Sequence, residues 1–332
     1  MKRKGLLLFP SIFAMSLTAC ASGVKHNISE YILQMEYKSD FRILQLTDVH
    51  LGDKDNLETH FKFMDLTINE ANPNLIVVTG DLFTFASKTT AMKLFEFLDS
   101  HNANWTVTFG NHDEQCYFSI EWVTGYLNDL TEDTKSYCIF KDIQDDDITG
   151  NSNFVINLKD GDEIIEQLIF IDSNRYHFGS YIGYDYIKEN QVEWYKRVVD
   201  ATTTLNGHLT ESLLFYHIPI PEFNDAYDAA KSGTEGAILE EGEKRENVCC
   251  PEYNSGLFDA ILEKGSTKGM FVGHDHVNNY RVLYKGVYFS YGVNSTDRIY
   301  FDEDLIGGQV ITVNRDHSLG FNQLIKTYED YE

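Results

Sequence analysis

The chain has 332 residues, 42% hydrophobic and 14% aromatic, enough apolar material to bury a substantial core and too much for a disordered polymer. Its 52 acidic residues outnumber 27 basic ones, giving a formal charge of -25, so the field around the protein repels polyanions and lacks the attraction that drives non-specific nucleic-acid binding. That balance argues against a nucleic-acid-coating role but not against a small anionic substrate, because bound metal can reverse the sign of the field inside a cleft.

Lys2, Arg3 and Lys4 precede an apolar run from Gly5 to Ala19, as long as the core of a signal peptide and short of the ~20 residues that a membrane-spanning helix needs. The run ends in Leu17-Thr18-Ala19-Cys20, which resembles the lipobox at which bacterial lipoprotein precursors are cleaved and acylated. The expectation is a lipoprotein signal peptide over residues 1–19, lipidation of Cys20, and a protein exported and anchored to the extracytoplasmic face of the cell membrane. Residues 20–39 read as a polar tether, and residues 40–332 as one domain with no Pro/Ser/Gly-rich linker to divide it. Beyond Cys20 there remain Cys116, Cys138, Cys249 and Cys250. Four cysteines in so long a chain make no disulfide scaffold, no CxxC zinc pattern occurs, and Cys249 and Cys250 read as structural.

Phe41 to Thr47 reads as a strand that runs straight into Asp48-Val49-His50. Leu57, Phe61, Met64, Leu66 and Ile68 set a helical period over residues 57–71, stopped by Asn72-Pro73. The apolar run Leu75 to Thr79 suits a buried parallel strand and leads into Gly80-Asp81. A second helix, about Thr90 to Ser100, precedes the strand Trp105 to Phe109 and then Gly110-Asn111-His112-Asp113. This is a β-α-β-α-β unit, and each strand ends in Asp, His or Asn. In open α/β sheets the carboxyl ends of parallel strands line one edge, where ligands bind, so these groups are expected to converge.

In the second half, Phe154 to Leu158 and Ile164 to Ile171 flank Lys159-Asp160-Gly161-Asp162, a hairpin signal. A helix over about Lys188 to Ala201 is followed by the strand Ser212 to Tyr216, which delivers His217. Gly269 to Val272 delivers Gly273-His274-Asp275-His276, and the runs Gly286 to Tyr291 and Gly308 to Val313 close the domain. Residues 223–253, polar and weakly periodic, read as a long loop suited to substrate contacts.

The donors at these strand ends are two carboxylates, an amide oxygen and imidazoles, a mixed N/O set suited to Zn, Mn or Fe rather than to Ca or to thiolate-bound metals. Two neighbouring ions need one bridging carboxylate and about three further protein ligands each, and the inventory meets that need. In this order the groups Asp48-x-His50, Gly80-Asp81, Gly110-Asn111-His112-Asp113, His217 and Gly273-His274-Asp275-His276 resemble the calcineurin-like metallophosphoesterases, over most of the chain after residue 40. Further segments, His217-Ile218-Pro219-Ile220-Pro221-Glu222, Asn254-Ser255-Gly256-Leu257-Phe258 and Gln191-Val192-Glu193-Trp194 after Asp172-Ser173, resemble the small non-purple relatives of purple acid phosphatases.

The resemblance implies an α/β fold, a four-layer α/β/β/α sandwich of two mixed sheets with a dimetal site at the C-terminal ends of strands. It implies two divalent transition-metal ions (Mn, Fe or Zn), one held by Asp48, His50 and His276 and the other by Asn111, His217 and His274, with Asp81 bridging. It further implies a phosphoric ester hydrolase, a phosphomonoesterase in which a metal-bridging hydroxide attacks phosphorus and His112 acts as general acid toward the leaving alkoxide of a small phosphate ester. The alternatives are a phosphodiesterase acting on small nucleotide or glycerophosphodiester substrates, and a non-catalytic metal-binding surface lipoprotein. Nothing in the sequence sets the oligomeric state.

The chain departs from the family in two places. Thr84 stands where purple acid phosphatases carry a metal-bound tyrosine, and His50 where they carry a glycine, so neither tyrosinate colour nor a fixed ferric ion is expected. Leu82-Phe83-Thr84-Phe85 lacks the arginine and carboxylate that protein Ser/Thr phosphatases place there, which leaves the partner of His112 unassigned. Among the other histidines only His177, near Asp172-Ser173, falls close to a site motif. Asp145-Asp146-Asp147 reads as a solvated acidic turn, because the twelfth position of a calcium loop would be Ile156. No G-x-S-x-G elbow or phosphate-binding P-loop occurs.

Overall fold

The computed structural model describes residues 26–179 and 182–331, so the expected signal peptide and Cys20 lie outside the described residues. Part of the expected tether is folded: after a 3-10 turn over Ile28–Tyr31, β1 (Ile32–Glu36) pairs in parallel with a later strand, Ile32 opposite Val155. Tyr31 is buried with its ring edge-on to Trp194 at 5.6 Å. The domain therefore begins upstream of residue 40. Gln34 and Glu36 point outward from this edge strand, and such polar edges hide a strand within a polar stretch.

The β-α-β-α-β unit forms as the pattern predicts, with β2 (Phe41–Leu46), α1 (Leu57–Ala71), β3 (Leu75–Thr79), α2 (Lys88–Asp99) and β4 (Asn104–Thr108), β2 and β4 both parallel to β3. The Asn56 side chain caps α1 by accepting from the N–H groups of Glu58 and Thr59, and Asn72 ends it at φ 43°. Next come α3 (Ile120–Glu132), the antiparallel hairpin of β5 (Phe154–Asp160) and β6 (Glu163–Phe170), and a small hairpin of β7 (Tyr176–Phe178) and β8 (Ile182–Tyr184). The chain continues through α4 (Glu189–Asn206), β9 (Ser212–Phe215), α5 (Glu222–Lys231), β10 (Ala237–Glu241), α6 (Leu257–Lys264) and β11 (Thr267–Val272). It closes with β12 (Arg281–Tyr284), β13 (Val287–Tyr291), β14 (Ile306–Val313) and β15 (Leu319–Lys326). Among the described residues no helix is long and apolar enough to cross a membrane.

These strands make two large mixed sheets, β15-β14-β2-β3-β4 and β1-β5-β6-β9-β11-β13-β12-β10. The two-residue period of the larger sheet separates its faces. Phe154, Phe170, Phe215 and Phe271 share one core with the smaller sheet, whereas Val155, Ile169, Leu214 and Met270 share another with α4 and α6. The phenylalanines stack across adjacent strands, with ring centroids 4.5, 5.3 and 5.1 Å apart. Helices α1 and α2 contribute Met64, Ile68, Leu94 and Leu98 to the first core, completing an α/β/β/α sandwich.

The expected loop over residues 223–253 is not irregular throughout. It contains most of α5, which buries Phe223 and Ala226, and the edge strand β10, antiparallel to β12. The helix was hidden because only these two of its positions face the core. The strand was hidden because its C-terminal end carries charge, Glu240 and Glu241 both reaching Arg281.

A histidine and aspartate cluster where two sheets meet

β2, β3 and β4 of the smaller sheet, and β9 and β11 of the larger, all release their donors at their C-terminal ends. The backbone there is bent sharply: Asp48, His50, Asp81 and His274 have φ of 57°, 50°, 50° and 79°. Non-glycine residues seldom adopt this left-handed region, and such strain gathers at functional sites. Two glycines permit close approach. A Cβ on Gly80 (φ 85°) would lie 2.5 Å from the His217 ring, and one on Gly110 would lie 2.3 Å from Asp81 Oδ1.

Two buried triads result, Asp48 with His50 and His276, and Asp81 with His217 and His274, each with its donor atoms within 4.8 Å of one another. Asp81 Oδ2 faces both groups, 3.6 Å from His50 Nε2 and 3.2 Å from His217 Nε2. Asp48 Oδ1 lies 3.5 Å from His276 Nε2 and 4.0 Å from the Nε2 atoms of His50 and His217. The Asn111 amide donates to the Tyr176 hydroxyl at 2.8 Å, so its carbonyl oxygen is the free end. The structure thus brings together six of the seven expected donors in these triads; Asn111 follows Gly110, which packs against Asp81, and the His112 ring centroid lies 5.0 Å from that of His50.

The outer atoms of these side chains are engaged. His217 Nδ1 donates to the Thr79 carbonyl at 2.8 Å and His276 Nδ1 to the Tyr300 carbonyl at 2.7 Å, while His50 Nδ1 meets the Thr84 hydroxyl at 2.8 Å. A carbonyl can only accept, so in His217 and His276 the neutral tautomer turns the Nε2 lone pair inward, as metal-binding imidazoles require. Asp48 Oδ2 accepts from the Thr47 hydroxyl, and Asp81 Oδ1 from the His112 N–H, both at 2.8 Å.

Three of the inner atoms are not. His217 Nε2, His274 Nε2 and Asn111 Oδ1 are buried without a hydrogen-bond partner, His217 Nε2 being close to Asp81 but poorly aligned with it. His50 Nε2 and His276 Nε2 lie 3.1 Å apart. Buried polar atoms left unpaired are costly, and divalent cations satisfy this whole set at once.

Burial lowers the His50 pKa to about 3 and holds that of His274 well below the usual imidazole value, so both rings stay neutral donors. Burial pushes the Asp81 carboxyl up, but the opposing pull of His217, His50 and His112 wins and holds it ionised. For His217 burial acts downward and is outweighed by the charges of Asp81 and Asp48, which raise it to about 10. This proton must leave when a cation arrives, since metal ligands bind deprotonated.

Several supporting residues carry no sequence signal of their own. The partner of His112 is the Gln115 amide, whose oxygen lies 2.8 Å from Nδ1 across a single 3-10 turn. Asp113 does not touch the His112 ring; it accepts from the N–H groups of Gly110 at 2.7 Å and Phe83 at 3.0 Å, tying two site loops together. His177 lies outside the donor set, 3.7 Å from Asp185, and its neighbour Tyr176 reaches the site instead. Asp145 accepts from Tyr31 and from the Asp147 N–H, consistent with an acidic turn. Cys116, Cys138, Cys249 and Cys250 are free thiols. A separate donor group, Glu166, Glu211 and His317, has Lys268 3.7 Å from Glu211.

A family model described as calcineurin-like phosphoesterase matches residues 41–278. The chain is similar to the Arabidopsis thaliana protein named "Probable inactive purple acid phosphatase 29", 28% identical over 86% of this chain and 79% of that protein. It is also similar to "Phosphatase DCR2" of Saccharomyces cerevisiae, 27% identical over 75% of this chain and 46% of that protein. Among solved structures it resembles a dimetal phosphatase from Danio rerio, with a TM-score of 0.52 and 14% identity over 88% of this chain and 100% of that one. This last likeness concerns the fold.

Proposed function

From the premise that the chain belongs to the calcineurin-like phosphoesterase family and is a dimetal, metal-dependent phosphoester hydrolase, we propose that it cleaves small phosphomonoesters. The observation that carries this reading is the buried cluster of inward-facing donors around Asp81, three of whose atoms have no hydrogen-bond partner. In this reading Asp48, His50 and His276 would hold one ion, Asn111, His217 and His274 the other, and Asp81 would contribute to both. When bound, the ions supply a hydroxide of lowered pKa as nucleophile and a positive field that orients the phosphoryl oxygens.

The chain's own residues do the rest. His112, held through Nδ1 by Gln115, directs Nε2 to the leaving oxygen and gives it a proton as the phosphorus–oxygen ester bond breaks, so alcohol and inorganic phosphate leave. Thr84, in the place of a metal-bound tyrosine, supports His50 from behind. Some relatives are named inactive; here the complete donor set together with His112 supports turnover.

The test is to offer the metal-loaded protein an aryl phosphate monoester and the matching diester side by side. Faster monoester hydrolysis is expected; exclusive diester turnover overturns the reading. We also assign the protein to the extracytoplasmic face of the membrane through lipid on Cys20, supported by Lys2 to Cys20 in the sequence. Cys20→Ser is then expected to move the protein out of the membrane fraction, and unchanged fractionation contradicts the anchor.

A further inference from the structure

A cavity of about 520 Å³ opens beside the cluster, with His50 in its wall. Its rim carries Phe85, Tyr117 and Ile299, which are 58%, 70% and 59% exposed. Isolated exposed apolar side chains need no explanation, but three around one cleft do.

Two of them are held there at a cost. Phe85 has φ 54° and Ile299 φ 63°, a region that disfavours bulky side chains and makes a β-branched residue an outlier. The fold keeps both conformations without burying either side chain.

Of the four charged groups lining the same cavity, Arg298, Asp55 and Asp53 are engaged within the fold, and Lys54 is the fourth. Arg298 Nη2 lies 3.3 Å from Asp55 Oδ1, and its Nε donates to His60 at 3.1 Å. Asp55 Oδ2 accepts from the Gly52 N–H at 2.7 Å, and Asp53 accepts from the Ser87 N–H and the Thr90 hydroxyl. What the cavity offers a visitor is chiefly an apolar, partly aromatic surface.

The cavity reaches the cluster through His50, the one member of the two triads in its wall. Tyr117 follows His112 by five residues, and the His112 ring stands edge-on to that of His50. On the phosphomonoesterase reading, an alcohol protonated by His112 would leave with this space one histidine ring away.

The geometry points to a leaving-group subsite formed by Phe85, Tyr117 and Ile299, which selects phosphate esters of aromatic or bulky apolar alcohols. The inference rests on the phosphomonoesterase reading for its place in the reaction but is read out by binding as well. Burying the added apolar surface is expected to favour such an ester by about tenfold over a small alkyl one.

The experiment uses the Mn²⁺-loaded protein with benzyl and ethyl phosphate, whose alcohols have similar acidity, and with the non-hydrolysable probes benzylphosphonate and methylphosphonate. About tenfold higher kcat/KM for benzyl phosphate is expected, with a matching preference for benzylphosphonate by calorimetry. In Phe85→Ala/Tyr117→Ala, altered only at exposed positions, both ratios should fall toward one. Equal affinity for the two phosphonates in the unaltered protein overturns the subsite, as does a preference that survives the double substitution. If the phosphonates differ as stated while neither ester is cleaved, the subsite stands and the phosphomonoesterase reading fails. A dimer that buries Tyr117 would give the patch to a second copy of the chain and overturn the subsite.

Discussion

His112 shows how one residue's role depends on what holds it. It is outside both donor triads, its backbone N–H donates to Asp81 and its ring is tied to Gln115. His112→Ala is therefore expected to keep both metal ions while turnover drops about 10²- to 10⁴-fold, the usual span for a lost general acid. Metal analysis alongside steady-state kinetics checks this; a variant as fast as the unaltered protein removes His112 from proton transfer. The seven donors were legible because each follows a strand-like run and has a residue type tied to metal chemistry. Gln115, Tyr176 and Thr84 were not, since a glutamine, a tyrosine and a threonine acquire their roles only through the packing that places them behind a donor.

Among the elements, the central strands announce themselves and the edges do not. β3 is buried at every position and reads as a continuous apolar run, and β2 nearly so. By contrast, β1 and β10 lie at the two edges of the larger sheet, where an exposed side and charged residues erase the pattern. α5 hides for a related reason, burying only Phe223 and Ala226. The folded start of the chain has a direct consequence. Deleting residues through 39 removes β1 from β5 and Tyr31 from its contact with Trp194, exposing a row of backbone groups. Such a truncation is expected to lower the thermal midpoint by several degrees, roughly the effect of 1–2 kcal/mol. An unchanged midpoint in a melting scan would show that the segment is the passive tether its composition suggests.

For the whole molecule, the formal charge of -25 and a centre built for cations belong to one design. The acidic surface discourages large polyanions, while two ions held by the triads would make a local positive well for a small phosphate. The two-sheet sandwich makes this possible by bringing five strand ends, from both sheets, to one place. Central to this account is that catalysis depends on a pair of ions sharing Asp81. It is tested most directly by stripping the protein of metal and titrating Mn²⁺ back while following phosphate release from an aryl phosphate monoester. Activity is predicted to rise from near zero to a plateau at two equivalents per chain and to be absent throughout in Asp81→Asn; metal-free protein with full turnover would contradict the account.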